Sequence, residues 1–130
     1  MAKSAKDSDP RPPVAVGHVF LEVRDVAAAG QWCEAVGMRR IFANENIAVL
    51  ELRGGTHLVV SKARRSPAPG SEAPFDIMVD DLAAARRDFA KKGLAPSRVK
   101  RGSIHSSFTL SGPEGYAFSV VSSHAGKRPV

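Results

Sequence analysis

The side chains able to do chemistry near neutral pH are few and scattered: His18, His57, His105 and His124, a single Cys33, and isolated carboxylates such as Asp76. Two imidazoles brought to one place could serve as acid and base, or anchor a ligand, because they titrate near neutrality. His18 sits in HVFLEV, where Val19, Leu21 and Val23 alternate with His18, Phe20 and Glu22. That is the period of a half-buried strand, and it puts His18 and Phe20 on one face. Cys33 shares helical spacing with Val26, Ala29 and Val36, which marks a packed thiol rather than a nucleophile. One cysteine excludes an intramolecular disulfide and any zinc site built on several thiolates. Ser123 and His124 are adjacent, so on a strand they would point to opposite faces with no third group to orient the imidazole, and they make no nucleophilic pair.

The elements that must position these residues are revealed by an internal repeat. Shifting the chain by 56 positions lays Val23, Asp25, Ala27, Ala28, Ala29 and Gly37 on Val79, Asp81, Ala83, Ala84, Ala85 and Gly93. Further on, a shift of 60 lays Gly55, Leu58 and Val60 on Gly115, Phe118 and Val120. The chemical position does not repeat: His18 falls on Pro74. In each copy an alternating strand leads to an aspartate N-cap, a helix with an apolar stripe and a glycine stop, then three strands separated by turns. In the first copy these lie at 14–23, 26–36, 39–43, 47–52 and 56–61. In the second, Phe75, Ile77 and Val79 alternate, Leu82, Ala85 and Phe89 line the helix, and strands follow at 97–100, 104–110 and 116–122.

We therefore expect a leader at 1–13, one α+β domain at 14–122 made of two tandem βαβββ modules (14–61 and 74–122) joined by the Pro/Gly/Ser/Arg-rich linker 62–73, and a tail at 123–130. One helix per module is too little cover for a sheet, so the modules should share a core. With 43% hydrophobic residues in 130, that core is of ordinary size.

Composition narrows the function classes. No apolar run approaches the roughly 20 residues of a membrane helix, and residues 1–13 lack the apolar stretch of a secretory signal and read as disordered. A cytoplasmic protein with no membrane partner is expected. Of the net charge of +6, three units sit in residues 1–13 and 123–130. The pairs Arg39-Arg40, Arg64-Arg65, Arg86-Arg87, Lys91-Lys92 and Lys100-Arg101 are spread out with no aromatic residues between them, so they read as solvated faces and not as a nucleic-acid surface.

The runs GHVFLEVRDV, PFDIMVDDL and SFTLSGPEGYAFSV, set in this repeat, resemble the vicinal oxygen chelate superfamily, which includes glyoxalase I, bleomycin and fosfomycin resistance proteins and extradiol dioxygenases. The resemblance covers about residues 14–122. It implies a half-open barrel around a divalent metal whose ligands come from the first and last strand of each module. Carried over, those four positions are His18, Val59, Pro74 and Ser119. Only His18 is a good ligand, where about three or four His, Asp or Glu donors are needed. We therefore assign no metal site and no cofactor, with a divalent ion left open on a rearranged donor set.

On the same resemblance, alternation places His57 on the face of Val59 and Asp76 on the face of Pro74, and His105 precedes a strand beside the last one. So His18, His57, Asp76 and His105 are candidates to converge in the concave face, with Phe20 as an apolar wall, Ser119 as a polar anchor and Ser107 as an anion-binding hydroxyl. Two functions stand open beside the blander one of a structural or regulatory subunit. One is a small-molecule binding protein whose pocket is metal-free. The other is a lyase, isomerase or dioxygenase-type enzyme with a rearranged His-based, metal-dependent or metal-free site. Family members commonly pair, so a homodimer is expected.

Overall fold

The computed structural model describes residues 8–123 and 125–130; the expected leader at 1–13 is thus covered only from Ser8, and the Ser123–His124 pairing involves a residue outside the described set. The first module runs β1 (His18–Val23), α1 (Val26–Val36), β2 (Arg39–Ala43), β3 (Ile47–Glu51) and β4 (His57–Lys62). The second runs β5 (Ile77–Val79), α2 (Leu82–Lys91), β6 (Lys100–Arg101), β7 (Ser106–Ser111) and β8 (Ala117–Ser122). Each module makes a four-stranded sheet, ordered β1-β4-β3-β2 and β5-β8-β7-β6. The first strand of each pairs parallel to the last, and the remaining pairs are antiparallel. A parallel pair needs a long crossover, and the helix is part of it.

The sequence signals act where expected. The Asp25 and Asp81 side chains accept from the N–H groups of Ala28 and Ala84 at 3.0 Å, capping the two helices. Gly37, at φ 127°, ends α1 with its N–H on the Cys33 and Glu34 carbonyls. The strands differ in detail for local reasons. β5 is three residues against six in β1: the chain bulges around Pro74, which has no N–H to give a ladder, and Glu72 takes its place opposite Ala117. β6 lies later than the expected 97–100, because Ser97 bonds to Thr109 through both its N–H and its hydroxyl and so enters as an irregular contact.

One face of each sheet is buried. Leu21, Val23, Ala48, Leu50, Leu58 and Val60 pack under Val26, Ala29 and Cys33 of α1; Ile77, Phe108, Leu110, Phe118 and Val120 pack with Phe89 of α2, and both sets belong to one continuous core. Trp32 of α1 joins them, its ring 4.7 Å from that of Phe118. The close approach depends on Gly112, where a Cβ would fall 2.5 Å from the Phe118 ring and 3.3 Å from Trp32.

Two clasps lock the modules, and they are related by the repeat. The tight turn Arg53–Gly55 before β4 sends Arg53 to Asp80, at the strand-to-helix turn of the second module, through two bonds of 3.1 and 3.0 Å. The equivalent turn Pro113–Gly115 before β8 sends Glu114 to the strand-to-helix turn of the first, where its carboxylate accepts from the N–H groups of Arg24 (2.7 Å) and Asp25 (2.9 Å) and from the Ser66 hydroxyl (2.8 Å). Tyr116 adds a bond from its hydroxyl to the Glu22 carbonyl at 2.9 Å.

Candidate functional site

With one face of each sheet in the core, the chemistry must lie on the other. On the first sheet, strand register sorts that face into cross-strand rows. Arg39 pairs with Glu51, Glu51 with His57, and His57 with His18, giving a polar row from β2 to β1. Two residues along, Phe42 pairs with Val49, Val49 with Val59, and Val59 with Phe20, giving an apolar row beside it. Such a face offers a flat hydrophobic bed with polar groups along one side, the mix of apolar and polar groups that a small-molecule site needs once a second surface closes over it.

The polar row is bonded from Arg39 to His57, and His18 lies against its end. His57 Nε2 lies 2.9 Å from a Glu51 carboxylate oxygen, and Arg39 pairs with the other oxygen of Glu51. Arg39 first, and then His57, hold the Glu51 carboxyl below its usual range. The His18 and His57 rings are 6.1 Å apart and nearly perpendicular, and Phe20 stacks beside His18 at 6.3 Å. Phe20 is 61% exposed, a large apolar side chain left in solvent on an edge strand.

The second sheet has the opposite distribution. The positions equivalent to the polar row are Pro74, Ala117 and Ser111, whereas those equivalent to the apolar row are Asp76, Ser119 and Thr109. Pro74, Asp76, Thr109 and Ser119 line a hollow of about 290 Å³. Ser107 lies in the next row, between Lys100 and Val121, with Met78 at its end. His105 precedes β7, half-buried, with its carbonyl accepting from the Gly102 N–H.

The structure thus brings His18, Phe20 and His57 together on the first sheet and Asp76 and Ser119 together on the second. Ser107 stands one row from the second group and His105 two residues beyond Ser107, and none of the hollows described joins the two sheets' groups within one chain. Another hollow, about 1130 Å³ and wide open, lies elsewhere, by the β1–α1 turn. Arg24, Lys62 and Arg64 face Asp25, Glu45 and Glu114 there, so it carries no net charge, and Asp25 and Glu114 are already committed to the cap and the clasp. Sequence reasoning missed Arg39 and Glu51. The only signal for Glu51 was its alternation with Ile47 and Val49, which gives the face but not the neighbour.

The donor set can be tested against a divalent ion. Of the four positions that would hold one, Val59 and Pro74 have no donor atom and Ser119 has a neutral hydroxyl. Among the described residues, no three His, Cys, Asp or Glu side chains are grouped so as to hold a metal. The described residues of one chain do not fit the ion.

Comparison with solved structures gives many matches over nearly the whole chain. A lactoylglutathione lyase from Agrobacterium tumefaciens superposes with a TM-score of 0.70 at 16% identity, covering 90% of this chain and 99% of its own. A glyoxalase/bleomycin resistance protein/dioxygenase from Alicyclobacillus acidocaldarius gives 0.69 at 18% identity, covering 88% and 95%. A superfamily member from Sphaerobacter thermophilus gives 0.69 at 16%, covering 85% and 98%. Comparison with protein-family models and with curated protein sequences gives no match. No helix among the described residues is long and apolar enough to cross a membrane. With its two βαβββ modules in these sheet orders, the chain has the vicinal oxygen chelate fold of the glyoxalase/bleomycin resistance protein/dioxygenase superfamily.

Proposed function

We propose that this protein binds a small organic molecule on the uncovered face of the first sheet, without a metal, in the cytoplasm, where its one free thiol needs no oxidising compartment. The observation that carries the reading is the pair of rows: a bed of Phe42, Val49, Val59 and Phe20 for the apolar body, with His57 and His18 beside it for the polar group. A second copy completes the site. Phe20 of β1 and Met78 of β5 lie on open edge strands, 61% and 51% exposed, which is apolar surface that a homodimer covers. Pairing brings a hydroxyl- and carboxylate-bearing face, with Asp76 and Ser119, within reach of the histidines.

The test is metal analysis of a dialysed sample together with binding of flat aromatic probes, followed by histidine and aromatic side-chain resonances. Expected are less than stoichiometric metal, affinity unchanged by chelator, and perturbation centred on His18, Phe20 and His57. One tightly bound transition metal per chain overturns the reading. A monomeric mass in solution at micromolar concentration overturns the dimer. The Glu51–His57 bond favours an acid–base enzyme as the second reading, and turnover of 2-oxoaldehyde hemithioacetals, epoxides or catechols that is lost in His57→Gln would promote it over binding.

A further inference from the structure

The row Arg39–Glu51–His57–His18 has a direction. An ionised carboxylate only accepts hydrogen bonds. Glu51 uses one oxygen for Arg39 and the other for His57 Nε2, so that nitrogen carries a proton, and in the neutral ring the lone pair is on Nδ1. With both oxygens held from opposite sides, the carboxylate is fixed in place. Nδ1 of His57 makes no hydrogen bond among the described residues, and 32% of the side chain is exposed.

Resting on the pocket reading above, we infer that Glu51, anchored by Arg39, is a positioning residue that presents His57 Nδ1 as an acceptor, and that the site thereby selects a planar ligand bearing an acidic hydroxyl, a phenol or an enol. The apolar row lies two residues along the strands, roughly 7 Å away, which is the width of an aromatic ring. A ring on Val59 and Phe20 therefore brings a hydroxyl on its edge up to the histidine row, with the His18 ring, set at 76° to His57, as a side wall. The charge pattern favours a neutral O–H over a carboxylate, because Arg39 and Glu51 cancel and offer a ligand anion no free cation. Glu22, on the same face of β1, adds a negative group that repels an anion.

The experiment uses the full chain and three probes of one shape: 2-naphthol, its methyl ether and 2-naphthoate. Binding is read by fluorescence titration, and the His57 tautomer by long-range proton–nitrogen correlation. The expected results are an Nε2–H tautomer for His57 and binding of 2-naphthol about tenfold tighter than the ether, the worth of one hydrogen bond to a fixed acceptor. In Glu51→Gln the tautomer preference disappears and the tenfold advantage falls toward one, while binding of the ether is unchanged, a split that a purely structural role does not produce. Arg39→Gln, on the exposed edge strand, gives the same changes to a smaller degree and serves if Glu51→Gln is poorly folded. An Nδ1–H tautomer, equal binding of naphthol and ether, or tighter binding of naphthoate overturns this inference and leaves the pocket standing. If no probe binds and no resonance of His18, Phe20 or His57 moves, the pocket reading itself is overturned.

Discussion

Replacing Glu114 should loosen the two modules from each other. Its carboxylate receives two backbone N–H groups and a hydroxyl across the module boundary, at 2.7 to 2.9 Å. Charge-assisted bonds contribute about 1.5–3 kcal/mol each when buried, but this group is partly exposed and solvent screening reduces the sum. Glu114→Ala should therefore cost about 2 kcal/mol. Glu114 also sits at φ 54°, a left-handed conformation in which a side chain costs about 1 kcal/mol relative to glycine. Glu114→Gly should thus be more stable than Glu114→Ala by about that amount, although both lack the carboxylate. The pH dependence follows from the same contacts. Burial works against the charged form, but the donors on Asp25, Arg24 and Ser66 outweigh it and hold the Glu114 carboxyl below its usual range. A depressed folded-state value gives stability that is fully present above the unfolded-state value, about 4.3, and is lost as pH falls through the folded one. Urea denaturation of wild type and both variants between pH 7 and pH 3 should show a gap between wild type and Glu114→Ala that narrows below about pH 4. A constant gap across that range, or a Glu114→Ala variant as stable as wild type at pH 7, would refute the clasp.

Other perturbations should behave as follows. Gly30→Ala should stabilise the protein by about 0.5–1 kcal/mol in the same denaturation assay, because Gly30 lies inside α1 and an added Cβ would meet only the Ala48 Cβ at 3.8 Å. Gly112→Ala should destabilise by about 1–3 kcal/mol, because its Cβ would strike the fully buried Phe118 ring, and a neutral result would show that Trp32 and Phe118 can shift freely. Cys33 is fully buried, and burial pushes its thiol up to about 12. It should be inert to a thiol reagent at pH 7 until the chain unfolds, and rapid labelling of native protein would contradict the packing of α1.

The sequence by itself determined the elements and their order. Helix caps, glycine stops and apolar periodicity are local signals, so Asp25, Asp81, Gly37 and the α1 stripe through Cys33 were readable from spacing alone, and the repeat pointed to the superfamily fold. Alternation also put His18 with Phe20 on the face away from the core. It could not say which residues of different strands become neighbours. That depends on register, which turns and bulges set. The shift in β2 between Arg40 and Phe42 is the clearest case. Plain alternation would put Ile41 on the face of Arg39, whereas the irregularity puts Phe42 there, beside Val49. Strand pairing likewise carries Arg39 to Glu51, 12 positions on, and Glu51 to His57, 6 positions on, and so builds a bonded row, with His18, 39 positions before His57, set beside it. The module clasps were invisible for the same reason, since Arg53 finds Asp80, and Glu114 finds Arg24 and Asp25, only once the two sheets are packed about one core.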